Sequence, residues 1–508
     1  MGERQRLGVQ DALWLEMDKP GNLMVVDSLF WTATPVDWDR FRDLVKERLW
    51  DRFPAFRSVV VRGEDGGWYW DEQDESDLGT RYVRVTLPEP GGDAELQELI
   101  SSQRVVPLDR GEPLWRSVLV DGYHGGAAVL FRTHHAIADG IRMVQVTLSV
   151  FDAGPDGEVV PAREARPSGT PPVAPPVSAP EVDHGRPSLA GQVRTGATSV
   201  ASTSRKLAHS AVTNPVGAAH TAITLSGSLA GSLAGSVVGA ASSGARTARD
   251  LGARGVPPFF SGMPGDMDTA RKLVLGTRND NTRWTGTVGP RKAVAWSPPL
   301  PLTDVKAVAH ANGATVNDVL VTCVAESLRA YLEQHRAVCR SVTWDVPVNL
   351  KPFDPDLPVE LGNSFALVQL EMPTNIEDPL RTLDVVRRRM GRIKSGHEAA
   401  VDFGVQAAIS RMSTRLYRFT IDLLANRAIG VLTNVPGPQV PLYVAGQKVE
   451  GMMGWAPLTA DQVMSFTIYS YDGKVFVGIA ADAGLVPEHE QVVDGFADAF
   501  RRLSTHTA

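Results

Sequence analysis

Nine of the 35 prolines in this chain fall between Pro155 and Pro187, in runs such as TPPVAPPVSAP. Each proline lacks a backbone donor and disfavours helix at the residue before it, so neither a sheet ladder nor a helix can run through the stretch. It reads as an extended linker. Beyond it, to about Gly255, alanine, glycine and serine dominate. The 508 residues are thereby divided into an N-terminal half at 1–153, a linker at 154–286 and a C-terminal half at 287–508. Length alone, at roughly 150 residues per domain, allows three domains. The composition reduces this to two, each long enough to bury a core without metals or disulfides.

Within the linker, residues 221–245 carry no charge, and Gly227, Gly231, Gly235 and Gly239 recur at every fourth position. On a helix these glycines share one face, where another backbone can approach closely. The length suffices to cross a bilayer. Glycine and serine, however, dilute the apolar content to Ile223, Leu225, Leu229, Leu233, Val237 and Val238. Three readings stay open: internal packing or disorder, contact with a membrane surface or a second copy, and a true span.

The net charge of −7 argues against general nucleic-acid binding, which needs a basic footprint. Two cysteines, Cys323 and Cys339, are too few for a disulfide framework or a tetrahedral zinc site, and they fit a reducing cytosolic setting. The opening MGERQRLGVQDALW lacks the apolar core of a signal peptide, and Arg6 stands where a myristoylation signal carries Ser or Thr.

Both outer zones alternate strand-like and helix-like segments. Phe56–Arg62 and Trp68–Trp70 flank the turn EDGG as a hairpin, and Trp115–Asp121 and Ala127–Thr133 form a second one about GYHGG. Phe41–Leu49 has helical spacing. In the C-terminal zone, strands are predicted at Ala293–Trp296, Ser341–Val348, Ser364–Leu370, Ala428–Leu432, Val463–Tyr471 and Val475–Ala481, with helices at Val316–Leu332 and about Pro379–Ile393. Such alternation predicts an α/β build with two halves of similar size.

The chain has no P-loop, no dinucleotide fingerprint, no HExxH and no G-x-S-x-G elbow, which argues against nucleotide-driven and serine-hydrolase chemistry. It does have AVLFRTHHAIADG, in which a strand ends in His134–His135 and a short turn leads to Asp139–Gly140. Adjacent strand residues point to opposite faces, so the two histidines have different surroundings. A neutral imidazole, with an ordinary pKa of about 6.5, suits a general base. Asp139 is placed to brace the turn, and Gly140 suits a bend or a close ligand approach. The plain alternative is a strand end followed by a DG turn. A metal site is disfavoured, since two adjacent strand histidines do not readily converge on one ion.

His134, His135, Asp139 and Gly140 match the HHxxxDG motif of the superfamily that includes chloramphenicol acetyltransferase and nonribosomal-peptide condensation domains. Further segments narrow the likeness. GEPLWR at Gly111–Arg116, ATVNDVLVTCVA at Ala314–Ala325, TNVPGP at Thr433–Pro438 and the opening QDALWLEMDKPGNLMVV together resemble the bacterial wax ester synthase/diacylglycerol acyltransferase family. The resemblance runs in order from about residue 8 to 490, the central linker excepted, with the family's usual PxNPM loosened here to PGNLM.

The resemblance implies two chloramphenicol-acetyltransferase-like halves with an active-site channel between them. It implies an acyl-coenzyme A-dependent O-acyltransferase that esterifies diacylglycerol or a long-chain fatty alcohol to triacylglycerol or wax ester for storage. His135 is then the general base, direct attack on the thioester makes an acyl-enzyme unnecessary, and His134 and Asp139 are structural, Asp139 through a salt bridge. Thr315-Val-Asn-Asp318 also reads as a helix start in which Thr315 and Asp318 form a capping box. Asn317, at that helix N-terminus, is the candidate for steadying the thioester oxyanion. Pro113, Leu114 and Trp115 carry no reactive group and are expected to shape a strand start or the wall of an acyl tunnel. TNVPGP is expected to be a turn-rich crossover that latches one half onto the other.

No bound cofactor or metal is implied; acyl-coenzyme A is a co-substrate whose binding residues are not evident. Val385–Lys394 (VVRRRMGRIK), Arg411, Arg415 and Arg418 offer basic faces for phosphates or an anionic membrane, or else ordinary solvated helix surface. A lipid acceptor implies a cytoplasmic protein in peripheral contact with the membrane or with lipid droplets. Two other readings keep the motif or the fold: an acyltransferase with a polyketide or peptide-like acceptor, and a non-catalytic lipid-binding scaffold.

Overall fold

The computed structural model describes residues 4–73, 78–158, 282–349, 357–363, 365–395 and 425–506. The glycine-spaced segment 221–245, most of the linker, and Arg411, Arg415 and Arg418 lie outside the described residues. In the N-terminal half, β1 (Gln5–Arg6), α1 (Val9–Met17), β2 (Val25–Thr32), α2 (Trp38–Val45), β3 (Ser58–Arg62), β4 (Trp68–Glu72), β5 (Tyr82–Thr86), α3 (Asp93–Arg104), β6 (Trp115–Tyr123), β7 (Gly126–His134) and α4 (Gly140–Leu148) follow in order. In the C-terminal half come β8 (Lys292–Pro301), α5 (Leu302–Ala311), α6 (Val316–Gln334), β9 (Ser341–Asn349), β10 (Phe365–Pro373), α7 (Pro379–Ser395), β11 (Gly430–Pro436), β12 (Tyr443–Val444), β13 (Gln447–Trp455), β14 (Met464–Tyr471), β15 (Lys474–Asp482) and α8 (His489–Thr505). Both expected hairpins form: β3 pairs with β4, and β6 with β7, each antiparallel.

Each half is built on a six-stranded mixed sheet. The C-terminal sheet has the order β10-β9-β11-β14-β15-β8, with β11 parallel to both neighbours. Helix α6 is buried along most of its length, as is the apolar stripe of α8. The N-terminal sheet has the order β12-β13-β2-β7-β6-β5, so its first two strands, β12 and β13, come from the C-terminal half. Strand β13 runs antiparallel to β2, with Met453 opposite Leu29 and Trp455 opposite Asp27. Accordingly, Leu442, Val449, Met452, Met453 and Trp455 belong to the same hydrophobic core as Phe41, Trp115 and Leu130 of the N-terminal half.

This corrects the reading of TNVPGP as a turn-rich crossover. Thr433–Pro436 are strand residues inside β11, and the chain crosses between the sheets only after Gly437, through β12 and β13. Pro436 sits at the strand's last position, where a missing donor is tolerated.

Beside β13 lies a buried ionic cluster. Asp27 on β2 stands opposite Arg132 on β7 and binds its Nε at 3.1 Å, while Arg104, at the end of α3, pairs with the other carboxylate oxygen. Arg132 also donates to the Val106 carbonyl at 2.9 Å, so the desolvated charges are compensated within the sheet.

The seam between β13 and β2 has no room for added atoms: a Cβ on Gly454 falls 2.7 Å from the Asp27 carbonyl oxygen. Gly454→Ala is expected to destabilise the protein by about 1–3 kcal/mol, the usual range for overpacking. Urea unfolding of the variant measures this, and an unchanged midpoint would show that the seam yields.

Candidate active site

The β7 strand ends at His134, and the histidine motif turns into α4 immediately beyond it. Asp139 is the N-cap of α4; its carboxylate accepts from the Arg142 amide at 2.9 Å, which closes the turn. The two histidines diverge as alternation requires. His134 Nδ1 accepts from the Ala136 amide at 3.0 Å, so its proton resides on Nε2, which donates to Asp18 at 3.2 Å. Asp18 also accepts from the Met24 amide at 2.7 Å and pairs with Arg110 at 3.3 Å. Burial alone would raise the Asp18 pKa; the hydrogen bond from His134 and the charge of Arg110 outweigh it and hold the carboxyl below its ordinary range. His134 thus pins the turn.

His135 faces the other way. Its amide donates to the Met24 carbonyl at 2.8 Å, and its ring lies 4.3 Å from the Trp14 ring and 5.4 Å from Phe365, centroid to centroid. Burial pushes the imidazole down to about 4, and the adjacent His134 acts in the same direction. Its own carbonyl and the Asn363 side chain oppose the shift, yet neither makes a well-formed hydrogen bond to Nδ1, which is buried without a partner. At neutral pH the ring is uncharged and fit to accept a proton.

His135 and Gly140 line a cavity of about 230 Å³ between the two halves, against about 10–15 Å³ needed for one water. The N-terminal half contributes Trp14, Phe30 and Met143, the C-terminal half Phe365 and Leu367, and the crossing strand β13 adds Met452, Met453 and Trp455. The lining is predominantly apolar and rich in methionine, which adapts to irregular chains. A Cβ on Gly140 meets nothing within 4 Å, so this glycine leaves open space at the cavity wall.

Asn317 does not line the cavity but stands directly behind it: its Oδ1 accepts from Asn434 Nδ2 at 2.6 Å, and Asn434, on β11, is a lining residue. Asp318 completes the expected capping box, accepting from the Thr315 amide at 2.9 Å. Pro113, Leu114 and Trp115 are not among the residues lining the cavity. The Leu114 carbonyl accepts from the His134 amide at 2.9 Å, and the fully buried Trp115 starts β6 and donates to the Phe56 carbonyl at 2.7 Å. Of the two roles expected for this triplet, the structure supports the strand start. On α7, Arg387 and Arg389 of the basic stretch donate to main-chain carbonyls and pair with Asp384 and Glu371, so these two cations serve the protein itself.

Sequence reasoning missed the residues that hold His135 from the side. Asp11 and Trp14 project from one face of α1, three residues apart. Trp14 lies on the His135 ring, and Asp11 accepts from the Asn363 amide at 3.1 Å and from its Nδ2 at 2.7 Å. The same Nδ2 donates to the His135 carbonyl at 2.9 Å. Their signal lay in the opening segment QDALW, whose Asp and Trp had no partner to be matched with in the sequence. Among the described residues, no cluster of His, Cys, Asp or Glu is placed to hold a metal, and no helix is long and apolar enough to cross a membrane.

The chain matches the family model for the wax ester synthase/diacylglycerol acyltransferase catalytic domain over residues 7–320, and that for the WS/DGAT C-terminal domain over 361–504. It is 25% identical over 441 residues to a probable diacylglycerol O-acyltransferase of Mycobacterium tuberculosis, covering 85% of this chain and 81% of that protein. It is 24% identical over 503 residues to the O-acyltransferase WSD of Acinetobacter baylyi, covering 95% and 93% respectively. Among solved structures, a wax ester synthase/diacylglycerol acyltransferase from Marinobacter aquaeolei superposes with a TM-score of 0.62 at 18% identity, covering 99% of this chain and all 100% of that one. The first condensation domain of the calcium-dependent antibiotic synthetase superposes at 0.55 and 15% identity, covering 100% and 97%. These two likenesses establish the fold.

The depressed imidazole makes a pH profile diagnostic. A base that ionises near 4 is neutral at both pH 5.5 and pH 7.5, so kcat/KM is expected to differ less than about two-fold between them. A histidine titrating near 6.5 would lose about ten-fold over the same interval. A ten-fold loss in steady-state assays at the two pH values would refute the desolvated-base description.

Proposed function

The chain belongs to the wax ester synthase/diacylglycerol acyltransferase family, and on that premise we propose that it transfers a long-chain acyl group from acyl-coenzyme A to the hydroxyl of a diacylglycerol or a long-chain fatty alcohol. The products are triacylglycerol or wax ester for storage. One observation carries the mechanism: a desolvated, neutral His135 in the wall of an apolar cavity built jointly by both halves. With Nδ1 buried, Nε2 is the nitrogen left for a substrate. It takes the proton of the acceptor hydroxyl as that oxygen attacks the thioester carbonyl. Collapse of the tetrahedral intermediate breaks the carbon–sulfur bond, and the imidazolium returns the proton to the departing thiolate. Alcohol and thioester thus become ester and free coenzyme A, with no acyl-enzyme.

The oxyanion of that intermediate needs a donor that is already in place. Asn317 and Asn434, one behind the other at the start of α6 and on β11, are the amides proposed for this role. The capping box does not use the Asn317 side chain, so Asn317→Ala is expected to keep α6 and to lower kcat by about 10²–10³-fold, the range known for a lost oxyanion donor. Because neither acceptor class is water-soluble, the protein is proposed to work in peripheral contact with a membrane or a lipid droplet.

Purified protein given radiolabelled palmitoyl-coenzyme A is expected to esterify a diacylglycerol, hexadecanol or both. If it esterifies neither, the lipid-storage reading fails. His135→Ala is expected to lower kcat by about 10²–10⁴-fold. Full activity in that variant would remove His135 from the chemistry while leaving the substrate assignment standing.

A further inference from the structure

The catalytic loop is held from two directions, and only one of them belongs to its own half. The His135 amide is fixed by the Met24 carbonyl at 2.8 Å, within the N-terminal half. The His135 carbonyl is fixed by Asn363 Nδ2 at 2.9 Å, from a loop of the C-terminal half. Asn363 is itself gripped twice by Asp11, through its amide and through the same Nδ2. A second tie lies next to it, where the Asp139 amide points to the Gly362 carbonyl at 3.5 Å.

Two polar atoms at this junction are buried without partners: His135 Nδ1 and Asn363 Oδ1. One is a donor in the tautomer that leaves Nε2 free to accept a proton; the other is an acceptor. Orphaned buried groups cost about 1–3 kcal/mol each when left unpaired. The two are complementary as donor and acceptor, and the Asn363 side chain bears on the imidazole.

We propose that Asn363, anchored on Asp11, is a positioning residue that sets the orientation and tautomer of His135 from the opposite half of the protein. This rests on His135 being the base. The carboxylate stands one residue removed, so the imidazole is oriented by a neutral amide and has no carboxylate in direct contact to stabilise its cation. That arrangement leaves the burial-driven depression of the ring largely uncorrected. It also makes the base competent only when the two halves are seated on each other.

The test compares His135→Ala, Asn363→Ala and the exchange Asp11→Asn/Asn363→Asp in the full-length protein. Asn363→Ala is expected to lower kcat by about 10–100-fold, as loss of an orienting partner does elsewhere, with KM for palmitoyl-coenzyme A and for the acceptor within two-fold and an unchanged circular dichroism spectrum. The exchange keeps an acid–amide pair but moves the carboxylate next to the ring. An adjacent opposite charge raises a pKa by about 1–3 units, so the acidic limb of kcat/KM is expected to move up by one unit or more. If Asn363→Ala keeps the parental kcat, or the exchange leaves the limb in place, the positioning role is wrong. Should His135→Ala retain activity, the base assignment itself falls, which is a separate outcome.

Discussion

The pairing of β13 with β2 is the constraint on which the rest of this structure depends. The N-terminal half does not complete its own sheet: it takes β12 and β13 from the C-terminal half, and the strand residues Met452, Met453 and Trp455 become both core and cavity wall. A cavity between two merely adjacent domains would open and close with their motion. Here it is bounded by a strand ladder from Thr32 opposite Val449 to Asp27 opposite Trp455, with one register shift between Val449 and Gly451. The ionic cluster of Asp27, Arg104 and Arg132 sits on the strand that receives β13, so charge compensation and strand exchange share one element. Asn22 reinforces the junction by donating to the Ala460 carbonyl at 3.0 Å, across the same boundary.

The seating of the halves also governs the chemistry. His135 comes from the N-terminal half, yet Phe365 packs near its ring and Asn363 holds its carbonyl from the C-terminal half. Asn434, at the cavity wall, and Asn317, behind it, come from there as well. The histidine motif alone therefore does not make a site.

What was legible in the sequence was what is local. The two hairpins join neighbouring strands across short turns, and the Asp139 cap and the Thr315–Asp318 capping box each close within three residues, so spacing suffices to place them. The division of labour between His134 and His135 followed from strand alternation alone. Strand β13 was not legible: its sequence, QKVEGMMGW, interrupts alternation with Gly451 and Gly454, and its partner lies at the other end of the chain. Thr433–Pro436 looked like a turn because of the PGP at its end, whereas parallel pairing with Thr467–Ser470 of β14 holds the segment as strand. Asn363 was invisible for a related reason. Its meaning comes from Asp11, 352 residues away, and nothing in GNSF marks a residue that touches a base.

The cavity and the base are two consequences of one desolvation. An apolar, methionine-lined space is what a long acyl chain requires, and the same exclusion of water lowers the His135 pKa to about 4. Against an alcohol whose proton is held far more tightly, so weak a base supplies little driving force for transfer at the outset. With His135 as the proposed base, catalysis therefore comes chiefly from elsewhere. Holding alcohol, thioester and imidazole together reaches effective molarities of about 10⁵–10⁸ M in favourable cases, and donors fixed in a dry site act on developing charge more strongly than they would in water. In the proposed mechanism, as the alkoxide character grows beside Nε2, the local anion favours the imidazolium that the apolar cavity disfavours. The proton then moves as the carbon–oxygen bond forms and not before it, so no free alkoxide arises. A base left neutral by its own surroundings, and held in place by an amide with no charge of its own, is suited to that coupled step.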